Sequence, residues 1–453
     1  MLFLCCAVCV LLGRMPGIFY VVKCSGGGRG EMSVDKRSSK RLKLLMHYLA
    51  ATKNEVAVDK SVYLLCSCEP SSLAYAPRPA KLLSVVGENL RLARFVIVLI
   101  GFIWRIGGDK CWFFIEFLRL MALKDRFDSR YLELPSNSSV GFCSSLRALN
   151  VLQSAGALAD VGCLIKWPGC DALSLGPKVS SVDFSTLLTW RDCVRALRLS
   201  CIVSRKMRSR FFFKNWSLQS YTAFKWIAFY LAVEKIPAQE FIVADHYNRW
   251  AVLMDRLVAE KKNAVLTLVQ HGALLGLTST SMDSNFSLDI PTRLKSVTKL
   301  YVYDEGAARV FGDNILSSSD LGGIDINFFK PKISLSPVLA DSSVLSVLIV
   351  GHAICEDFHL FVYDQLVHDF DVNFFYKPHP TVAPSKAIKS RNWHVVDGAD
   401  FFPEVDLLIS YPSTLVAEYE GCGIGAVVHP LAIESDGFHE VLSIISNKLH
   451  SLK

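Results

Sequence analysis

Lys377 and His379 flank Pro378, with Pro380 next in line, at the end of the apolar run VNFFY. The two prolines fix two φ angles and remove two donors, so a strand must stop there and the side chains between them are held in place. A fixed lysine and histidine form a preorganised cationic site of the kind that meets negative charge gathering on a departing phosphate. Further on, DLLISYPSTLVAEYEG reads as a strand, a Tyr-Pro turn and a helix. Ser410, Ser413 and Thr414 then stand at a helix N-terminus, where orphan backbone N–H groups and the helix dipole attract phosphate. Glu418 lies one turn beyond Thr414 on the same face, placed to accept hydrogen bonds from a ribose or base. A second pair lies upstream. His271 ends the run NAVLTLVQ and precedes Gly272, and Asp245 ends FIVAD. A neutral histidine with a pKa near the operating pH suits the removal of a proton from an attacking hydroxyl, and Asp245 is the reserve base. Each residue also has a plain structural reading: His379 as a turn cap, His271 as a shaper of the loop ALLGLTSTS, Glu418 as an exposed helix acid.

The elements that would position these residues are clearest in the second half. EFIVADH, NAVLTLVQHG and KLYVYDEG are short apolar runs ending in polar residues, with the helix-like NRWAVLMDRLVAEKKN between the first two. After the Gly-, Pro- and Ser-rich stretch at 322–337 come SVLSVLIVG, the helix-like EDFHLFVYDQLVHDF, VNFFYKPHP, NWHVVD, DLLISYPS and IGAVVHP. Buried strands alternating with helices predict parallel sheets with functional residues at the carboxyl ends of the strands. His271 is therefore expected at a sheet edge facing a cleft between two α/β units. The division predicted is 1–59 as an apolar and basic, partly disordered segment, 60–325 as the acceptor-side domain and 326–453 as the nucleotide-donor domain. Residues 60–240 mix apolar runs and helical stretches without a clear period, and no internal repeat is visible.

Composition bounds the function. With 453 residues, two domains are the expectation, and 51% hydrophobic against 20% charged residues excludes a disordered chain. The net charge of +7 is concentrated, with eight Lys or Arg between Arg191 and Lys214 (191, 195, 198, 205, 206, 208, 210 and 214) against one acid, Asp192. With Phe211, Phe212, Phe213 and Trp216 alongside, that run suits an anionic bilayer or a phosphate-bearing acceptor, or else a solvated helix face. The 14 cysteines form no CxxC pair, and Cys66 and Cys68 read as small buried hydrophobes, so a reduced, cytoplasmic protein without structural zinc is expected. MLFLCCAVCVLLG and FVIVLIGFIW are both shorter than the ~20 residues that a spanning helix needs. The first is read as weakly structured or as a short membrane contact, with Met32 a possible natural start, and the second as a buried strand or helix.

Taken in order, LTLVQHGALLG, KLYVYDEGAARVFG, NFFYKPHP and DLLISYPSTLVAEYEGCG resemble the GT-B glycosyltransferases of bacterial surface polysaccharide synthesis. The similarity is to the group that includes capsule sialyl- and Kdo-transferases and the CDP-glycerol glycerophosphotransferases, and it covers roughly residues 240 to 430. The resemblance implies an α/β fold of the GT-B kind, two doubly wound Rossmann-like domains with an interdomain cleft. It assigns His379-Pro380 and the hydroxyls of Ser410, Ser413 and Thr414 to the donor's phosphates, and a His-Gly at the strand end, here His271, to deprotonation of the acceptor. Asp304-Glu305-Gly306 superficially matches the acidic motif of bacterial sialyltransferases but comes too late in the chain. It is read instead as a strand end and helix start, with its acids favouring the helix N-terminus.

The function implied is transfer of a sugar or polyol phosphate from a nucleotide-activated donor to a surface polysaccharide or lipid-linked glycan. Other readings are a nucleotide-sugar epimerase of similar fold, and a non-catalytic GT-B-like scaffold in a polysaccharide assembly complex. No metal is expected, because no paired Asp-x-Asp stands at a strand end, and no cofactor beyond the nucleotide-activated co-substrate. The expected partners are that donor, the acceptor and an anionic membrane surface, with no nucleic acid. The expected location is cytoplasmic, peripheral at the inner face of the membrane.

Overall fold

The computed structural model describes residues 36–65, 95, 99–123, 138–167, 180–208, 217–272, 274, 290–317, 321–338, 344–379, 384–396, 401–431 and 433–452. The apolar start, Cys66 and Cys68, the Phe211–Phe213 and Trp216 aromatics, Arg210, Lys214, Pro380 and most of the loop ALLGLTSTS lie outside them.

The architecture is α/β with two parallel sheets. The first contains β1 (Ser139–Cys143), β2 (Val161–Lys166), β3 (Ser180–Asp183), β4 (Glu240–Ala244), β5 (Val265–Val269), β6 (Val297–Val302) and β7 (Asp325–Phe328), in the order β3-β2-β1-β4-β5-β6-β7. The second contains β8 (Leu345–Val350), β9 (Val372–Lys377), β10 (His394–Val395), β11 (Leu407–Ser410) and β12 (Gly425–Val428), in the order β10-β9-β8-β11-β12. Both are doubly wound orders that reverse direction beside their first strand, between β1 and β4 and between β8 and β11. Ligands of open α/β sheets lie at the carboxyl edge of such reversal points. The central strands VLTLV, LSVLIV and LLIS are apolar on both faces because helices cover both faces of each sheet.

Two expected boundaries move. Asp325–Phe328 pairs with β6, so the change of sheet falls between Phe328 and Leu345 rather than at 325/326. The helix Lys36–Leu65 belongs to the first domain rather than to a separate leading segment. Its Tyr48 and Ala51 are fully buried. Asn54 donates to the carbonyls of Tyr247 (3.0 Å) and Thr292 (2.8 Å) and accepts from the Thr292 N–H (2.8 Å). Arg249, itself buried, donates to Tyr48 Oη (2.7 Å), the Gln219 carbonyl (2.8 Å) and Thr222 Oγ1 (2.6 Å). Beside this network runs the helix Ala223–Val233, in which every residue but Lys225 is buried. A helix apolar all round sits inside a core, and it carries no amphipathic period for sequence reasoning to find.

The helix Trp190–Met207 starts at a capping box in which Thr189 Oγ1 accepts from the Asp192 N–H and the Asp192 carboxylate accepts from the Thr189 N–H. It buries Cys193, Ala196, Leu199, Ser200, Val203 and Met207, leaving Arg191, Arg198, Arg205 and Lys206 on the exposed face. Arg208 departs from the expected surface patch. Its guanidinium pairs with the fully buried Asp109 and donates to the Arg105 carbonyl (2.7 Å). The apolar run near residue 100 is likewise not interior, since Leu99, Ile100, Phe102 and Ile103 are exposed on a helix. Among the described residues no helix is long and apolar enough to cross a membrane.

Candidate functional site

At the first reversal point, the residues following β4 and β5 fold against each other. Asn248 caps the helix Arg249–Ala259 by accepting from the Trp250 N–H (2.7 Å), which fixes the turn DHYN. His246 Nε2 accepts from the backbone N–H groups of His271 (3.1 Å) and Gly272 (3.2 Å), and the two imidazoles lie 4.3 Å apart. Because Nε2 is an acceptor, the proton of neutral His246 is on Nδ1. Gln270 secures the other side, its Nε2 donating to the Gly272 carbonyl (2.9 Å) and its Oε1 accepting from the Tyr303 N–H (2.9 Å). The His-Gly loop is thereby held at the carboxyl edge. His271 Nδ1 is buried without a hydrogen-bond partner. Glu55, Val58, Asp245, His246, Tyr247, Asn248 and His271 line a cavity of about 270 Å³.

Electrostatics separates the two candidate bases. Burial, then the Arg147 guanidinium, lowers the His271 pKa to about 4, so its imidazole is neutral at physiological pH but, contrary to the expectation from sequence, its pKa is not near the operating pH. Burial raises Asp245 to about 7, a rise that Glu55 reinforces and the His246 N–H, donating to Oδ1 at 2.7 Å, opposes. Burial holds His246 well below its ordinary value, with His271 adding to the effect. Asp245 lies in the same cavity wall, but its carboxylate is engaged by the local turn, whereas His271 has an uncommitted ring nitrogen.

The raised Asp245 pKa carries a pH signature. A free aspartate ionises near 3.9, so below that pH the buried acid costs folding nothing, and the penalty for ionising it accumulates as pH rises through 7. Asp245→Asn removes the penalty while preserving an acceptor oxygen. Its Tm relative to wild type is expected to rise between pH 5 and pH 8, toward a gain of roughly 4 kcal/mol at most. Parallel melts at the two pH values with an unchanged difference would refute the assignment.

At the second reversal point, His352 follows β8, His379 follows β9, and Tyr411 and Ser413 follow β11. The His352 ring lies 5.0 Å from that of His379 and 5.4 Å from that of Tyr411, and its Nδ1 accepts from the Ile354 N–H (3.2 Å). Gly351 lets this edge form, since a Cβ there would lie 2.3 Å from Tyr376 Oη. Burial lowers both histidines, His352 to about 4 with His379 contributing. Ser410 Oγ lies 2.9 Å from Ser413 Oγ and donates to the Tyr411 carbonyl (2.7 Å). Ser413 is the N-cap of the helix Thr414–Gly421, yet its side chain makes no cap bond. Lys377 differs from expectation. It is buried, donates to the Phe401 carbonyl (2.7 Å) and lies over the Phe402 ring at 4.7 Å, partners that the spacing from His379 does not foretell.

Glu418 is buried rather than an exposed helix acid, at 5% exposure. One oxygen meets Arg147 at 3.4 Å and Oε2 has no partner. Burial raises its pKa, and Arg147 and Lys377 oppose the rise. Because Arg147 follows β1, this ion pair links the carboxyl edges of the two sheets. A second approach is at Gly272, where a Cβ would lie 3.4 Å from Thr414 Oγ1. The loop of His271 and Gly272 and the helix start at Thr414, far apart in sequence, thus come into contact.

The sequence reading passed over His246, His352, Arg147 and Glu55. The rule that found His271 finds His246 and His352 as well, since each follows an apolar strand. Arg147 and Glu55 sit in segments whose pattern gives no such mark.

Together, two doubly wound sheets with polar residues converging between their carboxyl edges define an α/β protein of GT-B-like architecture. No protein-family model and no curated protein sequence matches the chain. Among solved structures it is similar to UDP-GlcNAc 2-epimerase from Neisseria meningitidis bound to UDP-GlcNAc, at 12% identity and TM-score 0.41 over 68% of this chain and 91% of that one. The wall teichoic acid polymerase TagF matches at 9% identity and TM-score 0.34 over 76% of this chain and 92% of its own. The glycosyltransferase SnogD from Streptomyces nogalater matches at 13% identity and TM-score 0.32 over 68% and 85%.

Proposed function

We propose that the chain is a glycosyltransferase that moves a sugar or polyol phosphate from a nucleotide-activated donor to a glycan or lipid-linked acceptor. The observation that carries this reading is the approach of Gly272, next to His271, to Thr414, at a helix start whose N-cap Ser413 makes no side-chain cap bond. One side offers a neutral base beside a cavity for the acceptor, and the other offers backbone donors for an anionic leaving group. Glu418, with one buried oxygen unpartnered, suits a ribose hydroxyl. The test is a thermal-shift panel of CMP, CDP, UDP and GDP. One nucleotide at 100 times its Kd is expected to add about 2.7 kcal/mol to stability. If none shifts the transition, the donor assignment falls. Isomerisation of a free UDP-sugar would favour an epimerase, and binding without turnover a scaffold.

The finer proposal is a peripheral enzyme on the anionic inner leaflet. Arg191, Arg198, Arg205 and Lys206 share the exposed face of one helix with Ile202. Through Arg208 and the Arg105 carbonyl, the end of that helix meets the segment bearing exposed Phe102, Ile103 and Ile106. Cations beside protruding apolar side chains suit a bilayer interface. Replacing the four cations with Gln is expected to weaken binding to phosphatidylserine vesicles by about 1 kcal/mol per charge, with the fold intact. Unchanged vesicle binding would make this a solvated face.

A further inference from the structure

Behind the second reversal point lies a side-chain cluster that the proposed transfer does not use. Cys355 is the N-cap of the helix Glu356–Asp369, His359 follows one turn later on that helix, and His429 comes directly after β12. All three are buried, and one potential ligand atom from each lies within 4.8 Å of the others. His359 Nε2 and His429 Nε2 are 3.0 Å apart. His429 Nδ1 lies 2.8 Å from the Pro430 carbonyl, which only accepts, so Nδ1 carries the proton and Nε2 turns a lone pair inward. A backbone carbonyl fixing the tautomer in this way is the usual outer support of a metal-bound imidazole.

We infer that Cys355, His359 and His429 form a binding site for a borderline-soft divalent transition metal, Zn²⁺ in the first instance, held by one thiolate sulfur and two imidazole nitrogens. Zn²⁺ takes sulfur at about 2.3 Å and imidazole nitrogen at about 2.0–2.1 Å, which sets tetrahedral ligand atoms roughly 3.4–3.6 Å apart. Reaching that geometry asks the two nitrogens to separate by a few tenths of an ångström and the sulfur to close in. Without an ion, the proton between the imidazoles belongs to His359 Nε2. With one, it moves to His359 Nδ1, a buried atom that has no partner of its own. The thiol proton is released on binding. A three-residue set leaves a fourth position for water. The chemical case is the donor set: a sulfur with two imidazole nitrogens prefers Zn²⁺ over Mg²⁺ or Ca²⁺. The consequence is positional. In the thiol form Cys355 Sγ donates to the His352 carbonyl (3.4 Å), a bond that a metal-bound thiolate gives up, so an ion there would alter the turn that carries His352 toward His379.

The test is a cobalt titration of the chelator-treated full-length protein, with Zn²⁺ competition. Expected are one equivalent of bound Co²⁺, a sulfur-to-cobalt charge-transfer absorption, and its loss when Zn²⁺ is added. Cys355→Ser should abolish the absorption. If that variant does not fold, His429→Gln should reduce stoichiometry and affinity at least tenfold. No sulfur-to-cobalt absorption in the wild-type protein, or an absorption that persists unchanged in the folded variant, overturns the inference. Either readout is independent of nucleotide binding and turnover, so it stands or falls apart from the transferase reading.

Discussion

His271→Ala is expected to lose about 10²-fold or more in turnover at saturating donor while binding nucleotide as the wild type does. The imidazole has a buried Nδ1 without a hydrogen-bond partner beside the first sheet, and the residues proposed to hold the nucleotide lie at the edge of the other sheet. The pH profile adds an independent discriminant. A base must be deprotonated to act, so activity falls as pH drops through its pKa. With His271 held near 4, kcat/KM should stay level from pH 8 down to about pH 5. Were Asp245 the base, the decline would begin near pH 7. Normal turnover in His271→Ala, with loss in Asp245→Asn and an acid limb near 7, would transfer the role to Asp245. His246 is a positioning residue here, since its Nε2 is spent on the His271 and Gly272 N–H groups. Its replacement should lower turnover by displacing that loop without moving the acid limb.

The donor side carries the second large effect. His379→Ala, and separately the Ser413→Ala, Thr414→Ala pair, should each weaken nucleotide binding and reduce turnover by about 10²- to 10³-fold, the range for losing a preorganised donor to a developing charge. The pair removes two hydroxyls from the helix start but leaves its backbone N–H groups, so some nucleotide affinity should persist. Ser413→Ala also takes away the partner of Ser410 Oγ, which makes a thermal melt of the pair a necessary control. Wild-type nucleotide affinity and activity in both variants would sink the donor assignment.

The strands that carry the site were legible because β4, β5, β6, β8, β9 and β11 are apolar runs ending abruptly in polar residues, the pattern that a buried parallel strand imposes. β1 to β3 were not, because VGFC, VGCLIK and SSVD are short and interrupted by glycine or serine, and the helix at 223–233 has no polar face. His271 could be placed at an edge by its position in the chain. Its separation from Asp245 in basicity could not, because burial and Arg147 set it and both follow from tertiary packing. Lys377 shows the limit of local reasoning: its spacing from His379 suggests a joint cationic site, but nothing local foretells its bond to the carbonyl of Phe401, 24 positions away.

The helix Lys36–Leu65 has a bearing on the order of assembly. Its anchoring bonds are among the longest-range in the chain, 238 positions from Asn54 to Thr292 and 201 from Tyr48 to Arg249. Contacts of such separation incur loop-closure entropy before they return any stability, and they slow folding. On a ribosome, the helix emerges early and has no Thr292 to meet until most of the first sheet has been synthesised. Glu55 and Val58, which wall the cavity beside His271, travel with it. The cavity beside His271 is therefore a late product of folding, closed when the earliest described helix docks on strands made long after it, and a chaperone able to hold that helix in the interval would raise the yield of folded protein.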